Sequence, residues 1–325
     1  MKRIFLAVCF LIFSVMFLCV QLNKNSSDTP SSTDPSSAII SSTVAQPEES
    51  TEAPSEPTTE PEAENNPSYK FKNAAFYCVE NGEMLFSYNE KAKLAPASLA
   101  KILTATVAYY YSDPNDVFTV GSELDMVAPH SSLCLISKGQ KITLNDLVVG
   151  LMLPSGNDAA YTIAVNVARK LTSEDLPDKE AVKFFCQLMN SFAELIEMEN
   201  SNFTSPDGWD DKNQYTSASD LIKLTQCALG IEELKNIVTL NQKYVVFKSG
   251  QNITWKSTNK LLDKSSKHYN EYAIGVKTGS TKKAGNCLVS AFEKDGLTYI
   301  SVVCGVETSD GRYEETNKLF DSYAG

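Results

Sequence analysis

Residues 272–303 read YAIGVKTGSTKKAGNCLVSAFEKDGLTYISVV. Three apolar runs, at 272–277, 285–292 and 297–303, follow one another at the spacing of antiparallel strands joined by short turns. Some two hundred residues earlier, 74–80 and 83–88 flank Asn81-Gly82, a dipeptide that tolerates positive φ, and so read as a β-hairpin. Between these strand groups the pattern changes. Residues 98–110 contain neither Gly nor Pro and read as a helix, as do 144–152, 158–170, 179–197 and 218–229. A last helix is expected from about 312 to 323. Strands at both ends with helices between predict an α+β fold whose antiparallel sheet closes by joining the termini.

The 325 residues carry 29 Lys and Arg against 40 Asp and Glu, a formal charge of −11, with only 2 His. That balance argues against nucleic acid as a partner, because phosphate neutralisation needs a basic patch. Two His and no zinc-like Cys/His spacing argue against a metal centre, and no cofactor is expected.

The acidity is uneven: residues 1–23 sum to +2, 24–67 to −8 and 68–325 to −5. In 1–23, Lys2-Arg3 precedes an apolar run over 4–20 broken only by Ser14. At ~1.5 Å per residue it spans roughly 25 Å, slightly short of a ~30 Å hydrocarbon core. It exceeds a signal-peptide apolar region, and no small-x-small cleavage site follows. An uncleaved anchor to the cytoplasmic membrane is therefore preferred to a cleaved signal, with Lys2 and Arg3 on the cytoplasmic side. Either alternative exports the rest. In 24–67, thirty of 44 residues are Ser, Thr, Pro or Glu and none is aromatic, the composition of a disordered tether. Residues 68–325 are long enough for one large domain or two closely merged lobes.

With His scarce, a nucleophile needs another base. In Ser98-Leu99-Ala100-Lys101, directly after Pro96 at the expected helix start, positions i and i+3 share a face. Partial burial of that Lys lowers its proton affinity until it can take the Ser proton. The helix N-terminus favours negative charge developing on a substrate oxygen. Alone the pattern is weak, since Ser257-Thr258-Asn259-Lys260 and Ser280-Thr281-Lys282-Lys283 match it too. Order and context add weight. Ser155-Gly156-Asn157 follows Pro154 in a loop that opens a helix, and Lys277-Thr278-Gly279 ends a strand before Ser280. S-x-x-K, S-x-N and K-T-G in that order are the set of class A β-lactamases and penicillin-binding proteins. Ser257-Thr258-Asn259 and Lys248-Ser249-Gly250 imitate the second and third motifs, but no other combination has all three in order at workable separations.

The segments Ala95-Pro96-Ala97-Ser98-Leu99-Ala100-Lys101, Leu153-Pro154-Ser155-Gly156-Asn157-Asp158-Ala159-Ala160 and Gly275-Val276-Lys277-Thr278-Gly279-Ser280 resemble those of serine-type D-Ala-D-Ala carboxypeptidases, the low-molecular-mass penicillin-binding proteins. Ser205-Pro206-Asp207-Gly208, with residues 215–220, is similar to a loop of that family. The resemblance covers about 71–323 and implies a serine β-lactamase/DD-peptidase-like domain: a five-stranded antiparallel sheet flanked by helices, plus an all-helical lobe. It also implies acyl transfer that removes the terminal D-Ala of peptidoglycan stem peptides, with β-lactams as covalent inhibitors. On that resemblance Ser98 is the nucleophile and Lys101 its general base. Ser155 relays a proton to the leaving amine, supported by Lys277, while Asn157 bonds the substrate amide and orients Lys101. Backbone N–H groups of Ser98 and Ser280 form the oxyanion hole. Thr278, Gly279, Ser280 and Arg312 complete the substrate-binding set, Arg312 standing where the family carries its carboxylate-binding Arg.

Two other readings share the motifs. A β-lactamase needs a deacylating Glu in a loop before the third motif, and Glu194, Glu197 and Glu199 fall in or at the end of a helical pattern instead. A penicillin-binding sensor keeps the pocket but turns over poorly. Many family members continue into a β-domain and an amphipathic membrane helix; here the sequence ends at Gly325, and the N-terminal segment is expected to take over the anchoring. His130, His268 and Trp209 read as surface or loop residues. Cys78, Cys134, Cys186, Cys227, Cys287 and Cys304 form no disulfide framework and read mainly as buried free thiols.

Overall fold

The computed structural model describes residues 69–325, so the expected anchor at 1–23 and tether at 24–67 lie outside the described residues. No helix among those described is long and apolar enough to cross a membrane. The hairpin at Asn81-Gly82 forms as its sequence requires, with Gly82 at φ +66° between β1 (Asn73–Cys78) and β2 (Glu83–Tyr88). Two short ribbons follow, β3 (Val117–Thr119) with β4 (Lys141–Thr143) and β5 (Gln242–Val246) with β6 (Asn252–Lys256). The C-terminal stretch gives β7 (Ala273–Thr281), β8 (Gly285–Lys294) and β9 (Leu297–Val306). The main sheet runs β2-β1-β9-β8-β7 and is antiparallel throughout. Phe76 faces Ser301 and Ala75 faces Val302, so the two ends of the domain meet in the middle of the sheet.

Over β1, β7, β8 and β9 both faces of that sheet are covered, which is why these strands read as apolar runs. Alternate side chains point to opposite sides. Ala75, Val289, Ala291, Ile300 and Val302 join the large core beneath the helices. Phe76, Phe292, Tyr299 and Val303 pack outward, where α7 (Gly311–Tyr323) covers them with Tyr313, Leu319 and Phe320. The remaining helices are α1 (Ala100–Tyr111), α2 (Leu144–Met152), α3 (Asn157–Thr172), α4 (Asp178–Leu195), α5 (Ala218–Leu229) and α6 (Glu232–Val238). In α1 every residue from Ala100 to Ala108 is buried, so this helix is the axis of the helical lobe rather than an amphipathic surface helix. Its polar members are satisfied internally: Thr104 Oγ1 donates to the Pro206 carbonyl at 2.6 Å and Thr106 Oγ1 to that of Ile102 at 2.8 Å.

The α+β class and the five-stranded sheet agree with expectation. Two local features do not follow the sequence reading, the start of the first helix and the place of His268. The helix expected from residue 98 opens with a 3-10 turn, Ala97–Leu99, and α1 begins at Ala100. Lys248-Ser249-Gly250, which belongs to no complete motif set, is the turn of the β5–β6 ribbon, where Gly250 has φ +93° and its N–H donates to the Phe247 carbonyl at 2.9 Å. His268 is buried, not solvated: its ring stacks on Tyr313 at 5.2 Å, and its Nε2 lies 3.3 Å from Asp310 Oδ2. An aromatic face and a carboxylate at the start of α7 together draw that loop inward. Of the six cysteines described, all are free and only Cys227 is not fully buried.

Candidate active site

Pro96 and the positive φ of Ala97, +48°, turn the chain sharply enough to present Ser98 half-buried on the 3-10 turn ahead of α1. Lys101 follows in the first turn of α1 with no solvent exposure. Its Nζ donates to Ser98 Oγ at 2.9 Å and to the Asp207 carbonyl at 2.8 Å. Burial removes the water that would stabilise the ammonium and lowers the Lys101 pKa to about 8, against the pull of the negative charges on Asp207 and Asp158. A serine with a fully enclosed amine at hydrogen-bond distance is the arrangement of an activated nucleophile.

The S-x-N loop is held by backbone bonds. Gly156 N–H donates to the Gly150 carbonyl at 2.9 Å, and Asn157 N–H to that of Ser132 at 2.8 Å. Ser155 is buried with φ +65° in this loop, and Asn157 opens α3. Asn157 Nδ2 donates to Asp207 Oδ2 at 2.8 Å. Asn157 and Lys101 are thus linked through Asp207, the backbone carbonyl serving one and the carboxylate the other. Asp158 fastens the neighbouring loop: its two oxygens accept from the backbone N–H groups of Cys134, Leu135 and Ile136 at 2.9, 2.8 and 3.2 Å.

The third wall is β7. Lys277 is buried and its Nζ donates to the Thr278 carbonyl at 3.0 Å. Burial, joined by repulsion from Lys101 and Arg312, holds its pKa well below that of an ordinary lysine. At Gly279, β7 passes close to the Ser98 turn: a Cβ there would lie 3.2 Å from the Ser98 backbone nitrogen and from Ala97 Cβ. Ser280, beyond it, is exposed. Arg312 enters from the first turn of α7 and is buried at its root. Its Nη1 donates to the Gly279 carbonyl at 3.2 Å, Ser280 Oγ at 3.0 Å and the Cys287 carbonyl at 3.4 Å, while Nη2 donates to Ser309 Oγ at 3.1 Å. The guanidinium thereby ties β7 to β8 at the paired residues Gly279 and Cys287.

In the sequence the Ser205-Pro206-Asp207-Gly208 loop stands out only by resemblance, and nothing there marks a role for Asp207. Its second carboxylate oxygen accepts from Ser205 Oγ at 2.7 Å and the Trp209 N–H at 3.0 Å, so the group that joins Lys101 to Asn157 is itself fixed. Trp209 is exposed. The competing S-x-x-K matches have no such enclosure. Lys260 is exposed and paired with Asp310 at 2.6 Å, and exposed Lys283 donates to the Asp211 carbonyl at 3.1 Å. Glu194, Glu197 and Glu199 are exposed as well.

Residues 61–308 match the D-alanyl-D-alanine carboxypeptidase family. The chain belongs to that family. D-alanyl-D-alanine carboxypeptidase DacA of Haemophilus influenzae is 31% identical over 252 residues, which are 74% of this chain and 58% of that protein. DacD of Escherichia coli is 29% identical over 253 residues, 73% of this chain and 59% of its own. The chain therefore spans less than two thirds of the length of these family members. Among solved structures, the Streptomyces K15 DD-transpeptidase superposes with a TM-score of 0.72 at 29% identity, over 78% of this chain and 97% of that one. Penicillin-binding protein D2 of Listeria monocytogenes, in its ampicillin-bound form, gives 0.65 at 25% identity, over 79% and 98%. The DD-peptidase-like domain expected from the motifs is the fold observed.

Proposed function

We propose that this protein is a serine-type D-alanyl-D-alanine carboxypeptidase that trims peptidoglycan stem peptides through an acyl-enzyme on Ser98 and is acylated by β-lactams. The observation that carries the proposal is the 2.9 Å contact between Ser98 Oγ and the enclosed Lys101 amine, whose pKa lies near 8.

Ser98 Oγ attacks the carbonyl of the penultimate D-Ala while Lys101 Nζ takes its proton. The resulting oxyanion sits between the backbone N–H groups of Ser98 and Ser280, supplied by the nucleophile's turn and the end of β7. The C–N bond breaks as Ser155, supported by Lys277, relays the proton taken up by Lys101 to the departing nitrogen, and D-Ala leaves. Water then hydrolyses the ester and returns Ser98. Asn157 bonds the substrate amide. Thr278, Gly279, Ser280 and Arg312 bind the peptide's end, the planar guanidinium suiting the terminal carboxylate. Arg312 brings a positive charge to this cleft although residues 68–325 sum to −5. Residues 1–23 would anchor the enzyme to the cytoplasmic membrane and 24–67 would tether it on the outer side.

The test incubates the full chain with diacetyl-Lys-D-Ala-D-Ala and, separately, with benzylpenicillin. Free D-Ala and a long-lived adduct on Ser98 are expected. Rapid penicillin hydrolysis without D-Ala would identify a β-lactamase, and an adduct without either turnover a sensor. D-Ala release by Ser98→Ala at the parent rate would overturn the mechanism.

A further inference from the structure

The second S-x-N of the sequence, Ser257-Thr258-Asn259, follows β6 directly, and its outer residues have local work. Ser257 Oγ accepts the Asn259 N–H at 3.2 Å, and Asn259 Oδ1 accepts that of Leu261 at 3.1 Å, capping the short turn Lys260–Leu262. Thr258, between them, reaches three separate walls of the site. Its N–H donates to the Leu153 carbonyl at 3.0 Å, at the head of the S-x-N loop. Its own carbonyl accepts from Tyr313 Oη at 2.8 Å, beside Arg312 on α7. Its Oγ1 lies 2.6 Å from Oγ1 of Thr278, on β7. Thr258 is exposed, whereas Thr278 is 5% exposed.

We infer that Thr258 is a positioning residue of the carboxylate-binding site, its hydroxyl donating to Thr278 Oγ1 so that the Thr278 hydrogen is aimed at the substrate's terminal carboxylate. The inference rests on the carboxypeptidase reading above. A hydroxyl has one hydrogen and two lone pairs, and an ionised carboxylate only accepts. At 2.6 Å one hydrogen of the pair lies between the two oxygens, leaving a single hydrogen for a ligand. If Thr278 spent its own on Thr258, it would meet the carboxylate with lone pairs. Two backbone bonds hold Thr258 in place, so its side chain can enforce the other polarity. Arg312, bonded to the carbonyl of the next residue, Gly279, supplies the charge, and Thr278 supplies the oriented donor.

Thr258→Val keeps the branched shape and both backbone bonds but deletes the hydroxyl; Thr258→Ser restores it. Acylation rates are measured with benzylpenicillin, which carries a carboxylate, and with its methyl ester, which does not. D-Ala release from the peptide by the parent chain is followed alongside. Thr258→Val is expected to lower the benzylpenicillin rate about tenfold or more while leaving the methyl ester within about twofold, and Thr258→Ser to recover the parent ratio. An unchanged ratio in Thr258→Val, or equal losses on both compounds, overturns the inference even if the parent releases D-Ala normally. A parent chain that forms no adduct with either compound overturns it together with the reading beneath it. Should Thr258→Val fail to fold by circular dichroism, Thr258→Ala is held to the same ratio.

Discussion

Gly208 is packed so closely on Ala97 that a methyl group on its α-carbon would lie 1.8 Å from the Ala97 carbonyl oxygen. Both residues have positive φ, +86° and +48°. The loop that carries Asp207 is thus pressed against the turn that carries Ser98, and two backbones, rather than a flexible side chain, define the contact. Gly208→Ala must move one of them, and its φ is also one that an L-residue rarely adopts. The expected outcome is a penicillin acylation rate at least about tenfold lower and a reduced midpoint of thermal unfolding, with helix content retained. Parent-like acylation in a folded Gly208→Ala chain would show that the loop can retreat without disturbing Ser98.

That contact also marks where the sequence stops being legible. Helices α2 and α5 were readable to the residue because each has a local start signal: Thr143 Oγ1 accepts the Asp146 N–H at 3.1 Å, and Ser217 Oγ accepts that of Asp220 at 3.2 Å. Strands β1, β7, β8 and β9 were readable because burial on both faces makes them largely apolar, and β2, exposed or half-buried throughout, because it follows the Asn81-Gly82 turn. The short α6 and the two small ribbons carry too few residues for a period to show. Asp207 was opaque for a different reason. It lies 106 residues from Lys101 and 50 from Asn157, and nothing near it in the chain says that its carbonyl and carboxylate will serve two motifs at once. Thr258 lies in a motif that matches by chance, and only the folded chain brings it to Thr278. Side-chain identity at the motifs is a sequence property; what holds those side chains is a tertiary one.

Asp158 shows how much one such holding group is worth. Three backbone N–H groups of residues 134–136 point at its carboxylate, in a region where Cys134 and Ile136 are buried. Asp158→Ala leaves donors unpaired in a place that water cannot easily reach, at about 1–3 kcal/mol per group. Urea denaturation is expected to report a loss of about 3 kcal/mol or more, and acylation slows because Asn157 is the adjacent residue. A variant within about 0.5 kcal/mol of the parent would mean that the loop finds other acceptors.

Arg312 bonds four acceptors within the protein, two of them on Gly279 and Ser280 of the strand that carries Thr278. If its role is to bind the free carboxylate, Arg312→Ala weakens hydrolysis of a D-Ala-D-Ala peptide more than acylation by an ester that lacks the carboxylate. The expected gap is about tenfold to a hundredfold, the worth of a charge-assisted bidentate pair. Arg312→Lys should recover little of it, because an ammonium cannot reproduce the planar fork. Equal losses on both substrates would make Arg312 a brace for β7 instead.

The pH dependence tests the base directly. Lys101 accepts a proton only when neutral, and its pKa is about 8, so the rate of Ser98 acylation should rise through pH 8 and level off above it. The charge of Asp207 favours the ammonium and therefore raises that pKa. Asp207→Asn removes the charge and keeps an oxygen for the Trp209 N–H and the backbone carbonyl for Lys101. The ammonium then loses support, its pKa falls, and the rising limb moves toward acid, so that at pH 6 the variant runs at a larger fraction of its own plateau than the parent does. Single-turnover acylation by benzylpenicillin between pH 5 and 10 measures both limbs without interference from deacylation. A limb that moved toward alkali, or a parent rate that fell through pH 8, would mean that Lys101 acts as a cation and that some other group takes the Ser98 proton.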